Sequence, residues 1–140
     1  MEGQELGHRA SDHATLKFDG VRVGPDDVVG GVGGGFDVAM GGLGEGRLGV
    51  AAGAVGIQQA ALDACLDWTR TRRQFGRRIG DFQLVQSDLA EMHAALESTR
   101  LLTLKAAWQR DHGEDNHRAV SVAKWAACEA AVMAADKAVL

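Results

Sequence analysis

The sequence has little of three features that would assign it to well-defined classes of protein: cysteine, proline and long apolar runs. Its two cysteines, Cys65 and Cys128, lie far apart and without metal-ligand spacing, so we expect structural thiols in a reducing compartment, the cytoplasm. No apolar run approaches the ~20 residues that a membrane-spanning helix needs, which argues against a membrane span. The one proline, Pro25, and most of the 19 glycines fall in the first half, so the two halves are organised differently.

Positive charge is also in short supply over the chain as a whole. The formal net charge is −4, so the molecule has no general attraction to nucleic acid or to an anionic membrane. Residues 1–5 are acidic and polar, the opposite of a signal peptide. With 46% hydrophobic and 24% charged residues in 140 positions, the composition predicts a soluble globular domain or a piece of a larger one.

The first part of the chain contains one predicted strand and a glycine-rich connector. Apolar residues mostly alternate from Leu16 to Val23, and a Gly-Pro-Asp-Asp turn at 24–27 ends the pattern. No later segment offers an obvious partner strand, which suggests a chain cut from a larger protein. Residues 30–35 are all glycine except Val32, and because no Lys-Ser/Thr pair follows them, we interpret them as a connector rather than a phosphate-binding loop.

From Phe36 onward the sequence has the periodicity of helices. Apolar residues recur at three- and four-residue steps in three segments, and these residues are expected to face a common core. They are Phe36, Met40, Leu43, Val50, Ala54, Ile57, Ala61, Leu62 and Leu66 in the first helix, Val85, Leu89, Met92, Leu96, Thr99, Thr103 and Ala106 in the second, and Val122, Ala126, Ala130, Met133 and the neighbouring alanines in the third. We expect the glycines at 46, 49, 53 and 56 to admit a closely packed neighbouring helix.

Short connections separate the helices. The expected caps are Asp81 before the second helix, Gly113 after it, and Asp115 or Asn116 before the third. These features predict an all-α fold, an antiparallel up-and-down bundle of three long helices that is most of a four-helix bundle, preceded by the strand segment. Because the pattern runs to the last residue with no stop signal, we expect a truncated helical domain at 31–140 and a remnant of another domain at 1–30.

Five arginines fall within nine residues, at positions 70–78. One or two of them would be explained by the helix end, where cations offset the dipole. Nucleic-acid binding is a weak alternative, because this run holds a single aromatic residue and the rest of the chain is strongly acidic. A phosphate-bearing ligand is the third possibility, since the guanidinium fork grips phosphate oxygens in pairs. On charge alone, the helix-end and phosphate interpretations stand about even.

The same region resembles the RxQFG…FQxxQxxLAxM run of acyl-CoA dehydrogenases. The matching residues are Arg72-Arg73-Gln74-Phe75-Gly76, Ile79, Asp81-Phe82-Gln83, Gln86 and Leu89-Ala90-Glu91-Met92. Residues 6–11 and 18–23 resemble the end of that family's middle β domain. A resemblance to the C-terminal helical domain of the family is found at residues 35–36, 40, 43, 46–47, 51–52, 60–63, 106–107, 123–124 and 129–130. The resemblance therefore covers nearly the whole chain in order and at the right spacings.

The resemblance implies an FAD-dependent oxidoreductase of fatty acid metabolism that oxidises an acyl-CoA thioester between Cα and Cβ. A glutamate would remove the α-proton, the β-hydrogen would pass as hydride to the flavin, and electrons would leave to an electron-transferring flavoprotein. In such proteins the RxQFG turn of one subunit reaches the ADP half of the FAD in its neighbour. We expect a homo-oligomer, a dimer or tetramer, also because a three-helix piece leaves an apolar face open.

Carried over residue by residue, the resemblance implies six FAD-binding residues. They are Arg72 at the pyrophosphate, Gln74 and Phe75 beside it, Gln83 on the adenosine side, and Ile79 and Phe82 packed nearby. This favours the phosphate interpretation for Arg72, whereas the other four arginines of the run are interpreted as solvated helix-end charges. Arg47 matches a family arginine near the active site and would touch substrate, with a structural ion pair as an equal alternative.

No catalytic residue is assigned. Most of the family place the glutamate base in a later segment, here expected beyond residue 140, and a minority place it immediately before the arginine that Arg47 matches. That position is Gly46, which cannot take up a proton, and Glu45 would point about 100° away round the helix. No metal site is expected. The isolated chain is predicted to be inactive, and the alternative function is a non-catalytic helical interaction or assembly module.

Overall fold

A computed structural model describes residues 14–139, and three long helices account for most of them. Helix α1 spans Gly35–Thr71, α2 spans Gln83–Asp111 and α3 spans His117–Val139. The predicted fold class, an all-helical bundle of three long helices, is confirmed. The strands lie elsewhere than expected, in a small antiparallel pair between α1 and α2 formed by β1 (Arg73–Gln74) and β2 (Arg77–Arg78).

The chain divides into two compact units at Gly35 and Phe36. In the first unit, residues 16–23 form no strand with any segment of the described part, so the prediction of a strand there is wrong for this chain. Alternating apolar residues make a strand only where a second segment satisfies the ladder hydrogen bonds. The predicted turn does form, as a short 3-10 helix at Pro25–Asp27 in which the Gly24 N–H donates to Asp27 Oδ2 at 2.8 Å.

Part of the predicted organisation concerns residues that the structure does not describe. The resemblance at residues 6–11 lies outside the described range of 14–139. The division into a β-domain remnant at 1–30 and a helical domain at 31–140 stays a prediction.

The core of the second unit has one end built from small residues and one from larger ones. At the small end, alanines and one valine from all three helices pack together: Ala51, Ala54, Ala106, Val120, Ala123, Ala127 and Ala131. At the other end, Leu62, Met92, Leu96 and Ala134 form a second cluster. Alanine side chains let helix axes approach closely, so the small end is held by close contact rather than by large side chains.

Only the α2 core face was predicted correctly throughout. Met92, Leu96, Thr99 and Ala106 are buried as expected. On α3 the prediction is partly correct, because the neighbouring alanines Ala123, Ala127 and Ala134 are buried as expected while Val122 is exposed. The other predicted residues, Ala126, Ala130 and Met133, are half-buried. Nearly every position of α3 from 119 to 135 is small or apolar, so the period alone does not single out one face.

On α1 the apolar residues at 36, 43, 50 and 57 were predicted to be inside, and the structure places them outside. Phe36, Leu43, Val50 and Ile57 are all at least half exposed. The buried face is instead formed by smaller or polar residues together with Leu62, namely Ala51, Ala54, Gln58, Leu62 and Thr69. The glycines of this helix do not admit α2 or α3 either, since a Cβ built at 46, 49, 53 or 56 would meet nothing within 4 Å.

A buried polar group joins the three helices. Gln58 of α1 donates from Nε2 to the carbonyls of Ala54 at 3.3 Å and Ala127 of α3 at 3.1 Å. Its Oε1 accepts the hydroxyl of Thr99 of α2 at 3.1 Å. Gln58 is 1% exposed, so these bonds satisfy a side chain that would be costly to bury alone. They also fix the relative register of the helices, because no shift along an axis preserves all of them.

The predicted helix caps are partly correct. After α2, the N–H of Gly113 (φ +67) donates to the Arg110 carbonyl and the N–H of Glu114 to the Gln109 carbonyl, the bond pattern of a Schellman motif. Before α3, Asp115 Oδ1 accepts the N–H of His117 at 3.1 Å. The N-cap predicted at Asp81 is wrong: Asp81 lies in a 3-10 turn, its carboxylate pairs with Arg78, and Phe82 occupies the cap position.

Helix α1 is the one helix among the described residues that is long and apolar enough to cross a membrane. The core helix of a soluble bundle meets the same criteria, so this is weak support for a span. Residues along its length pack against α2 and α3 through the two core clusters.

Candidate functional site

The arginine-rich run forms a tight hairpin between α1 and α2. Its register pairs Arg73 with Arg78 and Gln74 with Arg77, which leaves Phe75 and Gly76 as a two-residue turn. Both have positive φ, 51° at Phe75 and 80° at Gly76, as a type I′ turn requires. Glycine adopts this backbone freely, but a bulky residue in it is an outlier that costs about 1–3 kcal/mol. Phe75 is therefore held in a strained conformation at the tip of the hairpin.

The base of the hairpin is tied to both neighbouring helices. The N–H of Arg72 donates to the Trp68 carbonyl of α1, and the Arg72 carbonyl accepts the N–H of Ile79, both at 2.9 Å. A Cβ at Gly80 would lie 3.0 Å from the Thr69 carbonyl oxygen, so only glycine lets the chain pass this close to α1. Gln86 of α2 donates to the Gly80 carbonyl at 3.0 Å. These contacts hold the base in place while the tip stands free.

The five arginines of the run have different partners. Arg70 pairs with Asp67 at 3.8 Å and Arg78 with Asp81 at 3.5 Å. Arg73 donates to the Gly76 carbonyl at 3.4 Å, and the Arg77 guanidinium lies 3.9 Å from the centre of the Phe82 ring.

Arg72 has the weakest contact of the five. Within residues 14–139 its guanidinium has neither a carboxylate nor a carbonyl partner, and its one contact is a distant approach to the Trp68 ring at 5.8 Å. The guanidinium fork of this arginine is therefore available to an anion from outside the chain.

The predicted aromatic and apolar site residues lie beside this arginine. Phe75 is 92% exposed and meets the ring of Phe82 edge-on, with centroids 6.3 Å apart and planes at 84°. Phe82 and Ile79 are half-buried at the base. The side-chain amides of Gln74 on β1 and Gln83 at the start of α2 are exposed and have no hydrogen bond to any described residue. All six predicted residues thus belong to one short segment that joins two helices.

The predicted substrate residue does not belong to this turn. Arg47 lies about 35 Å back along α1, given the rise of a helix. It is half-buried and forms no ion pair with any residue from 14 to 139. Glu45, two residues earlier, forms an ion pair with Arg110 of α2 at 2.5 Å.

The remaining reactive side chains form no second constellation. No three His, Cys, Asp or Glu side chains in the described part lie close enough together to hold a metal ion. Both cysteines are free and half-buried, and burial raises the pKa of the Cys65 thiol, which lowers its reactivity near neutral pH.

Two features of the turn were missed in the sequence. The hairpin itself carries no usual signal, since I′ turns are typically marked by Asn-Gly or Asp-Gly and here the pair is Phe-Gly. The contact of the exposed Arg77 guanidinium with the Phe82 ring was also missed. Spacing cannot show it, because the two residues meet only after the 3-10 turn at 79–81 brings the chain back.

Comparison with known proteins identifies the family. The family described as "Acyl-CoA dehydrogenase, C-terminal domain" matches residues 33–140. Glutaryl-CoA dehydrogenase of Desulfococcus multivorans is 43% identical over 128 residues, which cover 91% of this chain and 33% of that protein. The chain thus spans about a third of the length of this curated relative.

Solved structures agree with the sequence match. The structure of butyryl-CoA dehydrogenase from Megasphaera elsdenii superposes with a TM-score of 0.74 at 37% identity, covering 75% of this chain and 27% of that one. A structure described as PigA with FAD and proline has a TM-score of 0.66 at 31% identity, covering 67% of this chain and 24% of that one. The chain belongs to the acyl-CoA dehydrogenase family and corresponds to its C-terminal helical domain.

Proposed function

We propose that this chain is the C-terminal helical part of an FAD-dependent acyl-CoA dehydrogenase, and that its hairpin binds the ADP half of the cofactor. The proposal for the whole enzyme is α,β-dehydrogenation of an acyl-CoA thioester. The FAD would accept the hydrogen removed from Cβ, and the base would come from a segment beyond residue 140. Family membership supports the reaction class, and the hairpin geometry supports the role of the chain.

The observation that carries the proposal is the contrast between Arg72 and the other four arginines. Each of those four has a close carboxylate, carbonyl or ring partner in the chain, whereas the fork of Arg72 has only the distant approach to the Trp68 ring. A pyrophosphate would supply two anionic oxygens in the geometry that such a fork binds best. Arg72 would thus hold the phosphates without first breaking an internal ion pair.

The other residues of the hairpin fit the rest of an ADP group. The exposed ring of Phe75 offers an apolar face, and strain at an exposed side chain points to a role outside folding. The free amides of Gln74 and Gln83 offer donors and acceptors on either side of it. An anion, an aromatic base and a ribose would therefore each find a matching side chain.

The remaining parts of the proposal concern assembly. We propose a homo-oligomeric enzyme in the cytoplasm in which the hairpin of one subunit serves the FAD of another, with electrons passed to an electron-transferring flavoprotein. The backbone of this hairpin is hydrogen-bonded to the neighbouring helices at its base, and its tip is exposed to solvent. An element that reaches into a neighbouring subunit would have this arrangement. Arg47, unpaired in the described chain, remains the proposed substrate contact.

A non-catalytic assembly module is the second candidate. It is favoured by the exposed apolar residues Phe36, Leu43, Val50 and Ile57, which repeat every seven positions along α1. This repeat is typical of a helix that packs against a further helix. A module of this kind would need no ligand at the hairpin, so cofactor binding separates the two candidates.

The test is the flavin content of the full-length protein that contains this chain. Arg72→Ala should purify folded but with FAD retention weakened about ten- to a hundredfold, the value of one charge-assisted bond. Arg70→Ala is the matched control, because it removes an exposed arginine two residues away whose partner is internal. Flavin absorbance relative to protein absorbance is read after gel filtration. Equal flavin in both variants would remove the assigned site and favour the assembly module.

A further inference from the structure

Three side chains at the hairpin form a continuous stack. The guanidinium of Arg77 covers the ring of Phe82 at 3.9 Å, and the same ring meets Phe75 edge-on at 6.3 Å. Phe82 is fixed to the base, since its N–H donates to the Ile79 carbonyl at 3.1 Å and its carbonyl accepts the N–H of Gln86 at 3.0 Å. The stack therefore runs from a fixed residue at the start of α2 to the exposed tip of the hairpin.

The tip has little else to hold it. Each strand of the hairpin is two residues long, and a two-stranded hairpin is at best marginally stable by itself. Phe75 is 92% exposed, and Phe82 is the one ring it meets among the described residues. The orientation of Phe75 thus depends on Phe82, and the ring of Phe82 has a cation across its face.

The planar shape of the Arg77 guanidinium suits a contact with an aromatic ring. A guanidinium can stack on such a ring, whereas the ammonium of lysine is a compact point charge. The central carbon of the Arg77 guanidinium lies 3.9 Å from the centre of the Phe82 ring. No carboxylate in the described residues pairs with Arg77, although Asp81 is close enough to pair with Arg78. The Phe82 ring is therefore the partner of Arg77 in the described part of the chain.

We propose that Arg77 is a positioning residue for the cofactor site: by stacking on Phe82 it holds the ring that orients Phe75. The inference rests on the proposed function, in which Phe75 meets the ADP group. It adds that the planar group at 77 orders the tip before any ligand arrives. In this arrangement Arg72 binds the anion directly, whereas Arg77 acts indirectly, through the rings of Phe82 and Phe75.

The experiment uses the 140-residue chain, labelled for NMR and titrated with ADP. Arg77→Lys keeps the charge and loses the plane, and Arg70→Lys is the matched control at an arginine without a ring contact. We expect Arg77→Lys to weaken ADP binding about two- to fivefold, the equivalent of one exposed cation–π contact. The salt dependence of binding should stay unchanged, because the charge is kept. Arg70→Lys should bind as the wild type does.

A second measurement needs no ligand. In the free wild-type chain, the side-chain protons of Arg77 should be shifted by the ring current of Phe82, and both Arg77→Lys and Phe82→Leu should move the ring signals of Phe75 towards those of a free phenylalanine. Unchanged Phe75 signals in Arg77→Lys, or wild-type ADP affinity in that variant, would overturn the positioning role. Failure of the wild-type chain to bind ADP would overturn the proposed function, while the ligand-free signals still decide whether the stack orders the tip.

Discussion

Two regions of the molecule differ in how their side chains are packed: the core between the three helices, and the hairpin with its base at residues 72–83. In the core, small residues pack in ordinary helical backbone, and the buried amide of Gln58 has all its bonds satisfied inside the chain. In the hairpin, a large ring lies in left-handed backbone and in solvent, and Arg72 has only a distant contact with the Trp68 ring. Core side chains find their packing and hydrogen-bonding partners inside the chain, which stabilises the fold. Several side chains of the hairpin lack such partners, and their contacts are therefore incomplete.

This difference teaches where stability and binding lie. Incomplete contacts lower the stability of a fold, so they persist where they serve another purpose. Substitutions in the core should therefore change the free energy of unfolding, with no direct effect on the hairpin. Substitutions at the exposed tip should change binding, with little loss of stability or even a gain.

The largest stability effect is expected at Gln58. Gln58→Ala removes three hydrogen bonds and leaves a cavity among three helices, so we expect a loss of about 3 kcal/mol in the free energy of unfolding. Ile57→Ala is the control, since the adjacent side chain is larger and more apolar but 57% exposed, and it should cost less than about 1 kcal/mol. Urea denaturation measures both. Similar losses at 57 and 58 would mean that the faces of α1 are assigned wrongly.

The face of α3 can be tested by adding volume. Ala123 is fully buried where helices approach closely, so Ala123→Leu should destabilise the chain by about 1–3 kcal/mol through overpacking. Val122→Leu adds a smaller volume on the neighbouring, exposed position and should change stability by about 0.5 kcal/mol or less. Thermal melts of the two variants decide which face is buried. A larger loss at 122 would restore the face that the sequence predicted.

The hairpin should respond with the opposite sign. Phe75→Asn creates Asn-Gly, the preferred pair for a type I′ turn, and relieves the strain of a bulky residue at positive φ. We expect the free energy of unfolding to rise by about 1 kcal/mol while affinity for ADP falls. Phe82→Leu is a useful contrast, because it removes a ring without changing the turn. A loss of stability in Phe75→Asn would show that the ring of Phe75 stabilises the fold. It would contradict the distinction between a stabilising core and a hairpin that serves binding.

The smallest effect is expected at an ion cluster between α2 and α3. Lys137 bonds to Asp88 and lies 3.0 Å from Glu91, and these bonds raise the pKa of Lys137 above its ordinary 10.5. A raised pKa means that its contribution is fully present below 10.5 and is lost as the pH rises through the higher folded value. The melting temperature of the wild type should therefore fall slightly more across this alkaline range than that of Lys137→Met. Parallel curves for the two proteins would show that the cluster adds nothing.

Periodicity was sufficient for the three helices and for the core face of α2, although Leu101 and Leu104 of that helix are exposed. It was only partly successful on α3, where small and apolar residues occupy most positions and Val122 is exposed, and on α1, where the chain buries Gln58 and exposes Ile57. Gln58 is inside because its bonding partners lie on two other helices, 41 and 69 residues away along the chain, which no local pattern reveals.

The candidate site shows the same division. The six residues were found through their resemblance to a family, and the structure places them in one segment. The left-handed backbone at Phe75 and the stack of Arg77 on Phe82 could not be predicted, because both depend on the return of the chain after the turn. Side-chain identity thus indicated the candidate residues, and only the folded chain shows how each of them is arranged.

The most direct test of the central claim, that the hairpin recognises the ADP half of a flavin cofactor, is an NMR titration of the chain with ADP and, separately, with FMN. FMN carries the flavin ring and a single phosphate, whereas ADP carries the adenosine and the pyrophosphate. The account predicts that ADP shifts the backbone amides of residues 72–78 and of Gln83, that FMN shifts them much less, and that Arg72→Ala abolishes the difference. Equal shifts with both ligands, or shifts confined to the helices, would contradict it.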